Sequence, residues 1–280
     1  MPLTLDAIHR FPVKSCRGEA LPEAVVEPWG LVGDRRWLVV DADGEQVTAR
    51  EHPALLLVTP TLRADGGVDL TGPDTDPVQV PPPAGPLVDV SVWKTELTAT
   101  LADDRGWFSS LLGKPVRLVY LDDPTRRPIT SGYARTDDRV SFADGYPLLV
   151  ATTVSLDALN DLIADGSRGD EGPLAMARFR PNVVVGGGAP WAEDGWRVVR
   201  IGDAVFRAVK GCERCVMTTT DPDTAARGKE PIATLARHRR WDGKTWFGMN
   251  LVPDSPGAVI RIGDPVEILH AEPDADGPPR

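Results

Sequence analysis

The 280-residue chain has three cysteines, Cys16, Cys212 and Cys215. An odd, small number in a long chain excludes a disulfide framework and fits a reducing compartment. No run approaches the ~18 to 20 apolar residues that a membrane span requires, so no membrane partner is expected. The N-terminus, Met1 to Ile8, lacks the basic start and long apolar run of a secretory signal. A cytoplasmic location is therefore expected. Positive charge is also short: 31 Lys and Arg against 41 Asp and Glu give a formal net charge of −10. That balance excludes a general nucleic-acid footprint but allows a local positive pocket, because binding follows the local field. Rossmann and P-loop fingerprints are missing, and Gly186-Gly187-Gly188 alone reads as a turn. No internal repeat is visible.

What is present is ordinary globular composition, 41% hydrophobic and 26% charged, in a length sufficient for one large domain or two modest ones. Gly and Pro, 27 of each, punctuate short β-branched runs and predict many strands joined by turns. Strands are expected at Arg36–Val40 (entering a hairpin turn at Asp41 to Gly44), Val116–Tyr120, Asn182–Val185, Trp196–Val199 and Ala204–Val209. Val259 to Asp264 reads as a strand closing a barrel. Helical spacing predicts a helix over Trp107, Phe108, Leu111 and Leu112, stopped by Gly113. A second, capped by Thr153, carries Leu156, Leu159, Leu162 and Ile163, and a third runs from Glu230 to His238. Segments 73–86 and 122–139 read as loops, the latter with four arginines. The fold class expected is α+β, β-rich, with a few short helices.

Three segments carry candidate chemistry. KGCERCVMTTTDP, Lys210 to Pro222, holds Cys-x-x-Cys with Arg214 inside it. A soft thiolate suits a soft or redox metal, and a neighbouring guanidinium favours the thiolate. Zinc usually needs four ligands, and only Cys16 and four scattered histidines remain to complete them. A thioredoxin-type motif belongs after an early strand, whereas this one lies late. Two buried structural cysteines remain an open alternative. The second segment pairs Lys14 and Ser15 with Arg35, residue types that can hold an anion; a solvated basic face is the alternative. In the third, Arg180 and Asn182 flank Pro181 at the mouth of a β run, a place for ligand contacts or for turn chemistry.

Together these segments resemble the MOSC-domain proteins that carry an N-terminal MOSC-type β-barrel, the group of the amidoxime-reducing components and their bacterial relatives. The resemblance covers nearly the whole chain. It rests on PVKSCRG (Pro12 to Gly18), GLVGDRRW (Gly30 to Trp37), VTARE (Val47 to Glu51), FRPNVVV (Phe179 to Val185), CERCVMTTTDPDT (Cys212 to Thr224), EPIATL (Glu230 to Leu235) and IRIGDPV (Ile260 to Val266), in the family's order. It implies an N-terminal β-barrel domain over residues 1–120 and a MOSC domain over 121–280, with a molybdenum-pyranopterin cofactor in the cleft between them. By motif position Cys215 looks like the metal ligand and catalytic residue, with Cys212 a neighbour. Lys14, Ser15, Arg35, Arg180 and Asn182 match positions that hold the pterin and its phosphate, and Glu213 and Arg214 match positions whose chain lines it.

Gly145 and Tyr146 stand where relatives often have small hydroxyl residues, and Asn250 where some have Tyr; all three are cofactor-binding candidates. The resemblance implies an oxidoreductase that reduces N-hydroxylated or N-oxygenated small substrates. No Cys-x4-Cys-x2-Cys run of a plant-type ferredoxin follows His270, so electrons are expected from a separate ferredoxin-like protein or flavin reductase. Arg126, Arg127, Arg135 and Arg139, with Arg105 further off, are expected to offer such a carrier a basic rim. The alternative function is a carrier module for the cofactor or its sulfur, without turnover of its own.

Overall fold

The structure is a computed structural model that describes residues 2–130 and 132–272. Its main element is a nine-stranded sheet. From one edge the strands are Val266–Ala271, Trp196–Ile201, Ala204–Glu213, Lys244–Pro253, Leu148–Thr152, Val183–Gly186, Thr4–Arg10 and Glu19–Leu21, with Arg240–Trp241 paired to the fourth of them. Ala204–Glu213 alternates buried and half-buried residues along most of its length, as a strand with one face on the core must. Val183–Gly186 is buried throughout. It lies between Leu148–Thr152, its parallel neighbour, and the antiparallel N-terminal strand, which explains its unbroken valine run. Residues from both ends of the chain, Leu5 and Ile8 with Phe206, Met249 and Val266, share one apolar core.

A second region lies over residues 37–121. Four strands, Trp37–Val40, Arg117–Tyr120, Thr95–Leu101 and Leu87–Val92, form an antiparallel sheet, and Thr59–Leu62, Val68–Gly72 and Thr75–Val80 form another. Trp37, Leu55, Leu70, Phe108 and Leu118 fill the core there. The first 31 residues do not keep to this region. Thr4–Arg10 belongs to the large sheet, and Glu23–Glu27 pairs with Val259–Arg261 near the other end of the chain.

Three α-helices are described, α1 (Trp107–Leu112), α2 (Thr153–Ala164) and α3 (Ile232–His238). Left-handed Gly106 and Gly113 bracket α1. Three expectations need correction. The cap of α2 is Thr152, not Thr153: its hydroxyl accepts from the Ser155 amide at 3.2 Å. Segment 73–86 is not all loop, since Thr75–Val80 is a strand. Its Pro77 is tolerated because the strand is the outer one of its sheet and owes no donor on that side. Finally, Val259–Arg261 does not close the large sheet; Val266–Ala271 does, against Trp196–Ile201.

Candidate functional site

A cavity of about 440 Å³ opens where the two regions meet. Lys14, Ser15, Arg35, Gly145, Tyr146, Arg180, Asn182, Glu213, Arg214, Cys215 and Asn250 all line it, so residues far apart in sequence converge. Its walls are built separately.

The first wall follows from the tie of Val13 to Trp37. The Lys14 amide donates to the Trp37 carbonyl at 2.9 Å, and Ser15 then turns the chain with a left-handed φ of 70°. Lys14 Nζ, buried, donates to the Phe142 carbonyl at 2.7 Å and to Asp144 Oδ1 at 2.5 Å. Arg50 donates to Asp144 Oδ2 at 2.5 Å, and its charge acts on the nearby Cys215 sulfur. Burial pushes the Lys14 ammonium down to about 8 against the pull of Asp144. Surrounding protein would raise the Asp144 carboxyl, but Lys14 and Arg50 outweigh it and hold the group well below the usual carboxylate range. Asp144 is thus a fixed anion that ties Lys14 and Arg50 together beside a thiol.

The second wall comes from the chain just before Val183–Gly186. Asn182 is buried; its amide donates to the His9 carbonyl at 3.1 Å, and its Oδ1 accepts from the Leu149 amide at 3.3 Å and from Arg35 at 3.0 Å. Arg35 also donates to Asp34 Oδ2 at 2.6 Å. Arg35 and Arg180 both have left-handed φ values, 49° and 55°, and both guanidinium groups lie over the Phe11 ring, at 4.5 and 4.3 Å. Among the described residues no hydrogen bond runs from the Arg180 guanidinium to a side chain or backbone atom, and the Phe11 ring lies against it. Burial, and then repulsion from Arg35, push it down to about 9. A half-buried cation facing a cavity without its own carboxylate fits an anion brought from outside.

The third wall is the end of Ala204–Glu213 and the turn after it. Register shifts there bend the strand, and Asn250 bridges the bend by donating to the carbonyls of Lys210 (3.2 Å) and Gly211 (3.0 Å). Arg214 donates to Cys212 Sγ at 2.8 Å and to the Phe179 carbonyl at 2.7 Å. Glu213 is paired outward with Lys244 at 2.7 Å. The Cys215 carbonyl starts a 3-10 turn over Val216–Thr219 and accepts from Thr218. Cys212 and Cys215 are both half-buried, which removes the reading of the pair as buried structural residues. Cys16 is the buried one, and burial pushes its thiol up to about 12.

No group of three or more His, Cys, Asp or Glu side chains among the described residues could hold a metal ion by itself. The zinc alternative therefore has no ligand set. The cavity offers two thiols and several cations, a donor set suited to an anionic group that brings ligands of its own. A Cβ added at Gly145 would meet nothing within 4 Å, so a hydroxyl side chain in relatives has room there.

Sequence reasoning did not single out Arg50, Asp144, Arg178, Lys210 and Trp93, which line the same cavity. Arg50 lay inside the VTARE motif and Asp144 beside Gly145; only the joint hold of Lys14 and Arg50 on Asp144 distinguishes them. The expected arginine rim is corrected. Arg127 is buried and donates to the carbonyls of Ser141 and Ala143. Arg126 pairs with Asp122 and Arg139 with backbone carbonyls of the same loop, while Arg135 pairs with Asp254 beyond it, so these side chains are engaged within the chain.

Comparison with known proteins agrees with this layout. The MOSC N-terminal beta barrel domain family matches residues 3–115, and the MOSC domain family matches residues 137–267. The chain is 37% identical to mitochondrial amidoxime-reducing component 1 of Mus musculus, over 95% of this chain and 82% of that one. Identity to mitochondrial amidoxime-reducing component 1 of Homo sapiens is 33%, over 95% and 83%. A molybdenum cofactor sulfurase of Oryza sativa subsp. japonica is 32% identical over 88% of this chain, which spans 32% of that relative.

Proposed function

We infer, since this chain belongs to the MOSC-domain family and carries the MOSC N-terminal β-barrel domain as well, that it is a molybdenum-cofactor oxidoreductase acting on N-hydroxylated or N-oxygenated small molecules. The observation that carries the reading is Arg180, a half-buried guanidinium with no carboxylate bonded to it, in one cavity with Cys215. Arg180, Arg35, Asn182, Lys14 and Ser15 would hold the anionic pterin end, and the Cys215 sulfur would be the protein's ligand to the metal. Glu213, Arg214, Gly145, Tyr146 and Asn250 complete the lining. When bound, the pyranopterin molybdenum group supplies the two-electron chemistry that takes oxygen from an N–O group.

The chain's own contribution is binding, orientation and charge. Arg50 sets a positive charge beside the Cys215 sulfur. Asp144 stays ionised, so it positions Arg50 and Lys14 and is no proton donor. The side-chain fork of Arg35 is already spent on Asp34 and Asn182, which fixes the wall against which Arg180 works. Electrons come, in this reading, from a separate ferredoxin-like protein or flavin reductase, because three cysteines cannot ligate a four-cysteine cluster. A division into domains near residue 120 and a cytoplasmic location belong to the same proposal. No helix among the described residues is long and apolar enough to cross a membrane.

The second reading, a carrier module for the cofactor or its sulfur, draws on the similarity to the rice sulfurase. Protein from a host competent for cofactor synthesis separates the two. The reductase should contain molybdenum and pterin and should turn over an amidoxime with a chemical electron donor. Cys215→Ala should abolish that turnover with the fold intact, and Cys212→Ala should do less. Cofactor content without turnover would favour the carrier. NADPH oxidation by the chain alone would remove the separate donor.

A further inference from the structure

Trp93 occupies a position that turn chemistry alone would not give it. It lies in the two-residue turn between Val92 and Thr95, which pair as the ends of strands Leu87–Val92 and Thr95–Leu101. Its φ is 58°, in the left-handed region where Gly and Asn are at home and a bulky side chain is strained. The indole is 51% exposed and yet held in place. Arg50 lies 4.8 Å from the ring centroid, and Nε1 donates to Asp144 Oδ1 at 3.3 Å. Strain, exposure and a fixed orientation together are poor choices for stability, and such combinations gather where a ligand is handled.

The indole also stands between two cavities. One is the site already described. The other, of about 420 Å³, shares Trp93, Asp144 and Gly145 with it. Its remaining wall includes the apolar side chains of Val92, Pro128, Ile129 and Val140, with Lys94 and Arg127 beside them. The first cavity therefore continues, past one aromatic ring, into a second space with an apolar cluster in its wall.

We propose that Trp93 and this second cavity form a subsite for the planar aromatic body of the substrate, so that the protein selects aromatic over small aliphatic N-hydroxy compounds. The inference rests on the reductase reading for the identity of the N-oxygenated head, which points past Asp144 toward Cys215. The ring stacks on the indole face that Arg50 does not cover. A small aliphatic amidoxime reaches only the first cavity and gains nothing from the second.

The test is calorimetric binding of benzamidoxime and of acetamidoxime to the purified protein, with turnover followed in parallel. Trp93→Ala should weaken benzamidoxime by about tenfold, the worth of one aromatic stack with its burial, and acetamidoxime by less than about twofold. Trp93→Phe should restore benzamidoxime to within about threefold, since a ring is kept. Thr130→Trp, on the exposed wall of the second cavity, should exclude benzamidoxime while leaving Trp93 untouched. Equal losses for both ligands, no loss for either, or a wild-type protein that does not prefer benzamidoxime would each overturn the proposal. Selective binding with no turnover of any N-hydroxy compound would sink the reductase reading and leave the subsite standing.

Discussion

Arg180 and Arg239 are both drawn into the protein, and they are treated in opposite ways. Arg239, buried behind the large sheet, is hydrogen-bonded to the equally buried Asp194 and lies between the rings of Trp191 and Trp241. Glu193 beside it accepts from Ser155 at 2.8 Å and Thr152 at 3.2 Å. There the cation has a counter-charge bonded to it within the fold. Arg180 has an aromatic ring below it and a cation beside it, but no bonded carboxylate. A buried charge satisfied from within serves the fold, whereas one left for an outside partner makes the fold wait on a ligand.

The largest effect should follow from breaking the satisfied pair. Asp194→Asn leaves Arg239 buried without its counter-charge and should cost about 3–5 kcal/mol in urea unfolding. Molybdenum content per folded molecule should not change. A loss well below that range would mean that Arg239 relaxes to solvent and that the two arginines do not differ in kind. Next comes Arg180→Ala, which should weaken cofactor retention by about 1.5–3 kcal/mol, roughly ten- to hundredfold, while the cofactor-free protein unfolds no earlier than wild type. Arg35→Ala should lose cofactor too, but with lower stability, because Asp34 and Asn182 lose a partner. Full molybdenum content in both variants would show that these arginines do not face a bound anion.

Two further effects lie in the pH dependence of the cofactor-free protein, and they have opposite signs. Burial, helped by Asp194, raises the Glu193 carboxyl from 4.5 to about 7. The folded state then holds a proton that the unfolded state releases, so stability is fully present below pH 4.5 and is lost as pH rises through about 7. Lys14 is depressed from 10.5 to about 8, so the folded state gives up its proton first and stability rises as pH goes from about 8 toward 10.5. Glu193→Gln should flatten the first limb and Lys14→Met the second. If Lys14→Met leaves the alkaline limb unchanged, the cluster of Lys14, Asp144, Arg50 and Arg127 does not titrate there.

The residues that converge on the cavity were legible where they lie in short, dense motifs. Lys14 and Ser15 in PVKSCRG, Arg180 and Asn182 in FRPNVVV, and the run from Cys212 to Cys215 each place polar groups at a strand end, which is readable from the chain itself. Asp144 and Arg50 were harder, because their meaning lies in a contact between positions 94 residues apart. Trp93 lies in none of the motifs; its left-handed φ and its place between two cavities exist only in the folded chain. The four loop arginines were read as a surface feature because composition does not show which carboxylates and carbonyls they meet. In the fold, valine-rich strands declared themselves, whereas Thr75–Val80 was hidden by Pro77, which only an outer strand can absorb.

The N-terminal strand has a consequence for how the chain is made. Thr4–Arg10 leaves the ribosome well before Val183–Gly186, the longer of its two partners, which follows much later in the chain. Its hairpin-like neighbour Glu19–Leu21 covers one edge in the meantime, and Leu5 and Ile8 have no core to enter until Val150, Val183 and Met249 arrive. Residues 37–121, whose strands pair within that span, can collapse once Arg117–Tyr120 has followed, but the large sheet must assemble after it. The nascent protein therefore carries this strand half-paired, with Leu5 and Ile8 uncovered, until Val183–Gly186 follows, the stage at which a holdase would find it.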